Sequence, residues 1–247
     1  VNALDLNKDG VVGAGDIALA TTEQQKQDIA AAAKIYPYKR ALVITIDGGG
    51  KAYDPDRQYL CNESTNTYTL ESDLGSLRPK DGYAMKLFNQ EFAMSYTARA
   101  TDPPISAQNY CAITHGIPWK SLPSGYQFTN DISGAKLWPD YGLETPLYPS
   151  IFQVIKTQQP ERKLFATAEW NPITNGILEQ NVGTYFQYRA SSAANPLCFD
   201  QLEEYIQDGR FKDTALTYMQ SDTMDHYGHA SGYFTSGYYE ELKQFDG

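Results

Sequence analysis

The sequence predicts an α/β fold, a mostly parallel sheet flanked by helices, preceded by a short N-terminal loop and helix of different character. From residue 41 onward, short apolar runs alternate with amphipathic stretches, the order expected of βα units around a parallel sheet. The run "ALVITID" at 41–47 has the pattern of a buried strand and ends in a carboxylate. The first 38 residues follow a different pattern, with oxygen-bearing side chains at alternate positions around a glycine. The predicted division is therefore 1–38 and 39–247.

A chain of 247 residues suits one large domain with a small appendage. Thirty acidic against twenty basic side chains give a net charge of −10, which repels nucleic acid and anionic membrane surfaces, so neither is expected as a partner. No apolar run approaches the roughly 18–20 residues of a membrane-spanning helix. The start at Val1, with no signal-like segment, reads as a processed, soluble product. Nineteen tyrosines and many Asn, Ser and Thr suit an extracellular or periplasmic setting. Cys61, Cys111 and Cys198 are widely spaced and odd in number, so at most one internal disulfide forms and a zinc ribbon is excluded.

The first element is "DLNKDGVVGAGD". Asp5, Asn7 and Asp9 occupy positions 1, 3 and 5 of a calcium loop, and Gly10 supplies the sharp turn. Val11 offers its carbonyl, Gly13 acts through a water, and Asp16 closes the loop at position 12. The alternative is a solvated acidic turn capping the helix that begins near Asp16. With an aspartate in the closing position, the loop resembles one repeat of a dockerin, the calcium-binding module of bacterial extracellular assemblies. A single helix, "DIALATTEQQKQDIAAAAKIY", follows.

The remaining strands are expected at 93–100, 162–170 and 215–222, with helices near 83–91, 107–116, 150–158, 199–208 and 235–245. Lys51 to Asp81 is polar and turn-rich and reads as a surface excursion. It contains a glycosylation sequon at Asn62, read as an unused surface loop.

Ligands of open parallel sheets collect at the carboxyl ends of the strands. Asp47 ends its strand and precedes "GGG", which turns the backbone away while the carboxylate faces the crevice. Ser106 follows a Pro-Pro break and opens a helix, where unpaired amides favour an oxyanion; plain N-capping is the alternative. Asp225 and His229, four apart in "DTMDHYGHASG", meet one metal ion if the intervening turn is helical. His115 and His226 read as structural or surface histidines.

Taken in order, "VITIDGG", "TDPPISAQNYCAITHGIP", "PSGYQFTND", "YPSIFQVIKTQQPERKLFATAEWNPITNGILE" and "DTMDHYGHASGYFTSGYYEELKQFD" resemble the type I phosphodiesterase and nucleotide pyrophosphatase branch of the alkaline phosphatase superfamily. The resemblance runs from about Lys39 to Asp246. It implies that Ser106 is the nucleophile attacking phosphorus and that Asn130 helps hold the phosphoryl oxygens. It assigns Asp47 and Ser106 to one metal, and Asp225 with His229 to a second. Two divalent ions, zinc in the first instance, would activate the serine and stabilise the leaving oxygen. Carboxylate and imidazole ligands also suit manganese and other ions.

The family pattern continues past His229 with further metal ligands, so the resemblance implies that another chain or a C-terminal segment completes the sheet and both sites. An oligomer or larger assembly is the expected state. A phosphoester small molecule is the expected substrate. The alternatives are a non-catalytic extracellular assembly subunit stapled by calcium, and a binding module that keeps the phosphate surface without turnover.

Overall fold

In the central strand β4 (Lys163–Ala168) every residue after Lys163 is buried, the mark of a strand covered on both faces. The computed structural model describes residues 3–8, 12–32, 39–53, 58–71, 98–101, 103–124, 127, 129–130, 148–180, 182–187 and 197–246. They divide into two compact units, Val1–Ala41 and Leu42–Gly247.

In the first unit, α1 (Ala14–Leu19) packs against α2 (Glu23–Ala32). The single helix expected here is broken at 20–22. The Thr22 hydroxyl accepts a hydrogen bond from the Gln25 amide at 3.1 Å, so a local side-chain bond starts a new helix where the first one ends. The expectation of a helix starting near Asp16 is met two residues earlier, at Ala14.

The larger unit is built on a four-stranded sheet in the order β1 (Ala41–Ile46), β6 (Thr214–Ser221), β4, β5 (Thr184–Gln187). β4 runs parallel to both β5 and β6. Thr45 bonds to the Met219 carbonyl and the Asp47 amide to the Ser221 carbonyl, so β1 and β6 also advance together. One face carries Leu164, Ala166, Ala168, Leu216 and Tyr218 under α3 (Ser106–His115), α4 (Ile151–Gln158) and the turn around Ile173 and Ile177. On the other face, α5 (Leu197–Gln207) lays Cys198 and Leu202 against Met219. There the Tyr205 ring stacks on Phe165 with centroids 3.8 Å apart. Alternate β-strand residues thus meet helices on opposite sides, which is why these strands read as continuous apolar runs. On the edge strand β1, Leu42 and Ile44 are 41% and 45% exposed.

The segment read as a surface excursion contains structure. β2 (Gln58–Asn62) and β3 (Thr67–Glu71) form an antiparallel hairpin. Its turn is organised by the sequon residue itself, since Asn62 Oδ1 accepts from the Ser64 amide at 3.1 Å and the Thr65 amide at 3.3 Å. The hairpin is anchored by the Cys61 amide, which donates to the Phe234 carbonyl at 2.8 Å. Phe234 lies between α6 (Thr223–Ser231) and α7 (Ser236–Asp246). A third cluster, with Ala52, Met224, Tyr238, Tyr239 and Leu242 buried, holds this end together. The helix expected at 83–91 lies outside the described residues, as does most of the strand expected at 93–100; residues 98–100 are not in a strand. All three cysteines are free thiols and buried. Among the described residues, no helix is long and apolar enough to cross a membrane.

Candidate metal and catalytic site

Asp47 leaves β1 at its carboxyl end, and its side chain meets those of Asp222 and Asp225, which leave β6 and enter α6. One carboxylate oxygen from each lies within 4.8 Å of the others. The β1–β6 pairing supplies the register: the Asp47 amide donates to the Ser221 carbonyl at 2.9 Å, which sets Asp47 beside the start of α6. Gly48 then makes the approach possible. Its φ is +74°, and a Cβ placed on it would come 2.4 Å from the Asp225 nitrogen and 2.6 Å from the Met224 carbonyl carbon. Only glycine fits, by conformation and by space.

The α6 helix supplies the spacing that the sequence left conditional. Asp225 and His229 lie one turn apart, with His229 Nε2 3.4 Å from Asp225 Oδ2. His229 is 75% exposed, so the imidazole sits on the rim of the cluster. The other oxygen of Asp225, Oδ1, accepts a short hydrogen bond from the Tyr233 hydroxyl. Tyr233 reaches it because Gly228 leaves room: a Cβ there would lie 2.2 Å from the tyrosine ring. His226, by contrast, is exposed on the same helix.

Ser106 is the first residue of α3, and Ile105 holds the N-cap position without a side-chain cap bond. The N-capping alternative for Ser106 is thus not what the helix shows. Its hydroxyl and that of Tyr110, one turn further along α3, lie near enough to Asp47 to favour its ionised form. Asn130 Oδ1 accepts the Ala107 amide at 3.0 Å, so it occupies an unpaired amide of the helix start from outside. Of the residues nominated from sequence, Asp47, Ser106, Asp225 and His229 lie together, and Asn130 reaches the same helix start. Asp47 and Asp225 share one cluster with Asp222, which sequence reasoning missed. The signal was available in "SDTMD", where the residue after a buried strand is itself an aspartate.

The electrostatics are those of crowded carboxylates. Burial and the neighbouring Asp225 charge raise the Asp47 pKa, against the Tyr110 hydroxyl, the Gly48 amide and the Ser106 hydroxyl, which lower it. Burial, then the charges of Asp47 and Asp225, push Asp222 up to about 7. Among the described residues no lysine or arginine pairs with any of the three. Three convergent carboxylate oxygens at this spacing could hold one divalent cation, which would supply positive charge to the cluster.

The N-terminal loop is described at Asp5, Asn7 and Asp16, while Asp9 and Val11 lie outside the described residues. Asp16 is buried, and its carboxylate accepts the Leu6, Asn7 and Gly13 amides at 2.6, 2.9 and 2.8 Å. These bonds, led by those from Asn7 and Gly13, hold its pKa below the ordinary carboxylate value. The bond from the Gly13 amide also satisfies the N-cap N–H at the start of α1, so Asp16 helps fix that helix start.

The side chain of His115, the last residue of α3, is buried, with Nε2 3.9 Å from Glu179 Oε1 and Nδ1 2.9 Å from the Thr114 hydroxyl. Burial drops its pKa to about 3. Glu179 in turn accepts the Ser150 amide at 2.7 Å and the Ser150 hydroxyl, which ties α3 to the start of α4.

Comparison of the chain with protein-family models, with curated proteins and with solved structures finds no match. The fold and site define a mixed α/β protein whose parallel sheet carries an acidic, serine-flanked cluster at its carboxyl edge.

Proposed function

We propose that the chain is a metal-dependent phosphoesterase, of the phosphodiesterase or nucleotide pyrophosphatase kind, with Ser106 as nucleophile. The observation that carries this reading is the nearness of the Ser106 hydroxyl, at the start of α3, to Asp47, a member of the three-aspartate cluster. Asp47, Asp222 and Asp225 would hold the cation, with His229 at the rim. When bound, divalent ions neutralise phosphoryl charge, lower the pKa of coordinated hydroxyls and stabilise the leaving oxygen.

The protein's own part follows from its geometry. As Ser106 Oγ bonds to phosphorus and the bond from phosphorus to the leaving oxygen breaks, Asp47 would take the serine proton, and the leaving oxygen would take a proton from water. The amides at the start of α3 favour the substrate's anionic oxygens. Asn130 braces that helix start. The leaving alcohol departs from phosphorus, and water then hydrolyses the phosphoseryl ester, returning the Ser106 hydroxyl.

The N-terminal unit is proposed to bind one calcium ion through Asp5, Asn7, Asp9, Val11 and Asp16, which suits an extracellular or periplasmic setting. The ionised state favoured at Asp16 supports this. The function is tested by assaying a nitrophenyl phosphodiester with zinc or manganese added. Metal-dependent release of nitrophenol that Ser106→Ala abolishes supports the proposal. Turnover unaffected by Ser106→Ala rejects it.

A further inference from the structure

Glu169 follows β4 directly and is only 6% exposed, yet it is not one of the three clustered aspartates. Its Oε2 accepts hydrogen bonds from Ser221 Oγ at 3.0 Å, the Asp222 amide at 2.6 Å and Thr223 Oγ1 at 3.0 Å. Its Oε1 accepts from Cys198 Sγ at 3.4 Å. One carboxylate thus pins three consecutive residues at the point where β6 turns into α6. A second strand-to-strand tie accompanies it, since the Glu169 amide donates to the Gln220 carbonyl at 3.1 Å.

Asp222 springs from this turn, and Asp225 lies in the first turn of the helix it starts. A buried charge satisfied by four donors is costly to disturb, so the turn has little freedom to rotate. We infer that Glu169 is a positioning residue for cation binding: its hydrogen bonds hold the β6–α6 turn in the conformation that brings Asp222 and Asp225 onto Asp47. This rests on reading the aspartate cluster as a divalent-cation site, and it deepens that reading by naming what preorganises it. Glu169 also adds negative charge behind Asp222, which attracts a cation without contacting it.

The test is calorimetric titration of the full folded chain with Mn2+ alone, for the wild type and for Glu169→Gln, Ser221→Ala and Thr223→Val. Glu169→Gln keeps the shape while removing the charge and the matched acceptor, and the Kd for Mn2+ is expected to rise by about 10- to 100-fold, as for other outer partners of metal ligands. Ser221→Ala and Thr223→Val each remove one donor and leave the charge, so each should weaken binding by a smaller factor. A purely structural role would lower the melting temperature of Glu169→Gln and leave the Kd of the folded protein at the wild-type value, which overturns the inference. If Glu169→Gln does not fold, an unchanged Kd in both other variants overturns it equally. Absence of Mn2+ binding by the wild type rejects the cation reading itself, and the inference with it; that outcome is distinguished by its appearance before any substitution.

Discussion

Gly48 and Asp225, 177 residues apart, touch so closely that a single added methyl group on the glycine would sit 2.4 Å from the aspartate's nitrogen. This contact sets the distance between the end of β1 and the start of α6, and hence between the Asp47 and Asp225 carboxylates. Gly48→Ala adds both a left-handed strain and an overlap with backbone, neither of which a side-chain rotation relieves. It should destabilise the protein by about 2–4 kcal/mol in urea unfolding. It should also weaken Mn2+ binding in whatever fraction remains folded.

The protonation of Asp222 makes apo stability depend on pH in a defined direction. Its pKa rises from the ordinary 3.8 to about 7 on folding, so the folded state binds more protons between those values. The stabilising contribution is fully present below pH 4 and is lost as pH rises through 7. In the metal-free protein, the stability of the wild type relative to Asp222→Asn should therefore fall from pH 4 to pH 7 and then level off. Cation binding requires the ionised form, so the rise in melting temperature on adding Mn2+ should be larger at pH 8 than at pH 5. Parallel melting curves of the two proteins would show a difference independent of pH if Asp222 titrated alike in the folded and unfolded states.

His115 predicts the reverse slope. Its pKa falls from 6.5 to about 3 because burial disfavours the imidazolium, so the unfolded chain binds the extra proton in that window. Its contribution is fully present above pH 6.5 and is lost as pH drops toward 3. Glu179, whose pKa burial raises, works in the opposite sense, so the wild type alone does not isolate the histidine. The difference between wild type and His115→Gln does: the wild type should lose stability faster than the variant on acidification below pH 6.5, as read from urea midpoints.

Asn130 separates a bracing role from a catalytic one. If it serves only to accept the Ala107 amide, Asn130→Ala should cost about 0.5–2 kcal/mol of stability, as for a lost helix cap. If it also holds the phosphoryl oxygens, the variant should lose on the order of 10²–10³ in kcat as well, the usual cost of one transition-state donor. Measuring kcat at a temperature where the variant is fully folded distinguishes the two. Ser106→Ala should abolish turnover while leaving Mn2+ binding by the three aspartates within a few-fold of wild type.

Much of the frame was legible because burial on both faces writes itself into composition. The strands expected at 41–47, 162–170 and 215–222 are found at Ala41–Ile46, Lys163–Ala168 and Thr214–Ser221, and the helix at 107–116 is found at Ser106–His115. The hairpin within Lys51–Asp81 was not legible, since most of its side chains are exposed and carry no apolar alternation. The break between α1 and α2 hid in an alanine- and glutamine-rich stretch of high helix propensity, where a threonine side-chain bond outweighs the preference of its neighbours.

The amino-acid order alone establishes where strands stop and which polar residues stand at those stops, because apolar runs and turn residues are local properties. Asp47, Ser106, Asp225 and His229 could be nominated on that basis. The partnership of Asp222 with Asp47, the hold of Glu169 on the β6–α6 turn, and the need for glycine at 48 and 228 emerge only from the folded chain. Each depends on distances between segments far apart in sequence, fixed by the register of β1 on β6 and β6 on β4 and by the packing of Tyr233 over α6. Such register is decided by the burial of whole strand faces at once, which no short stretch of residues encodes.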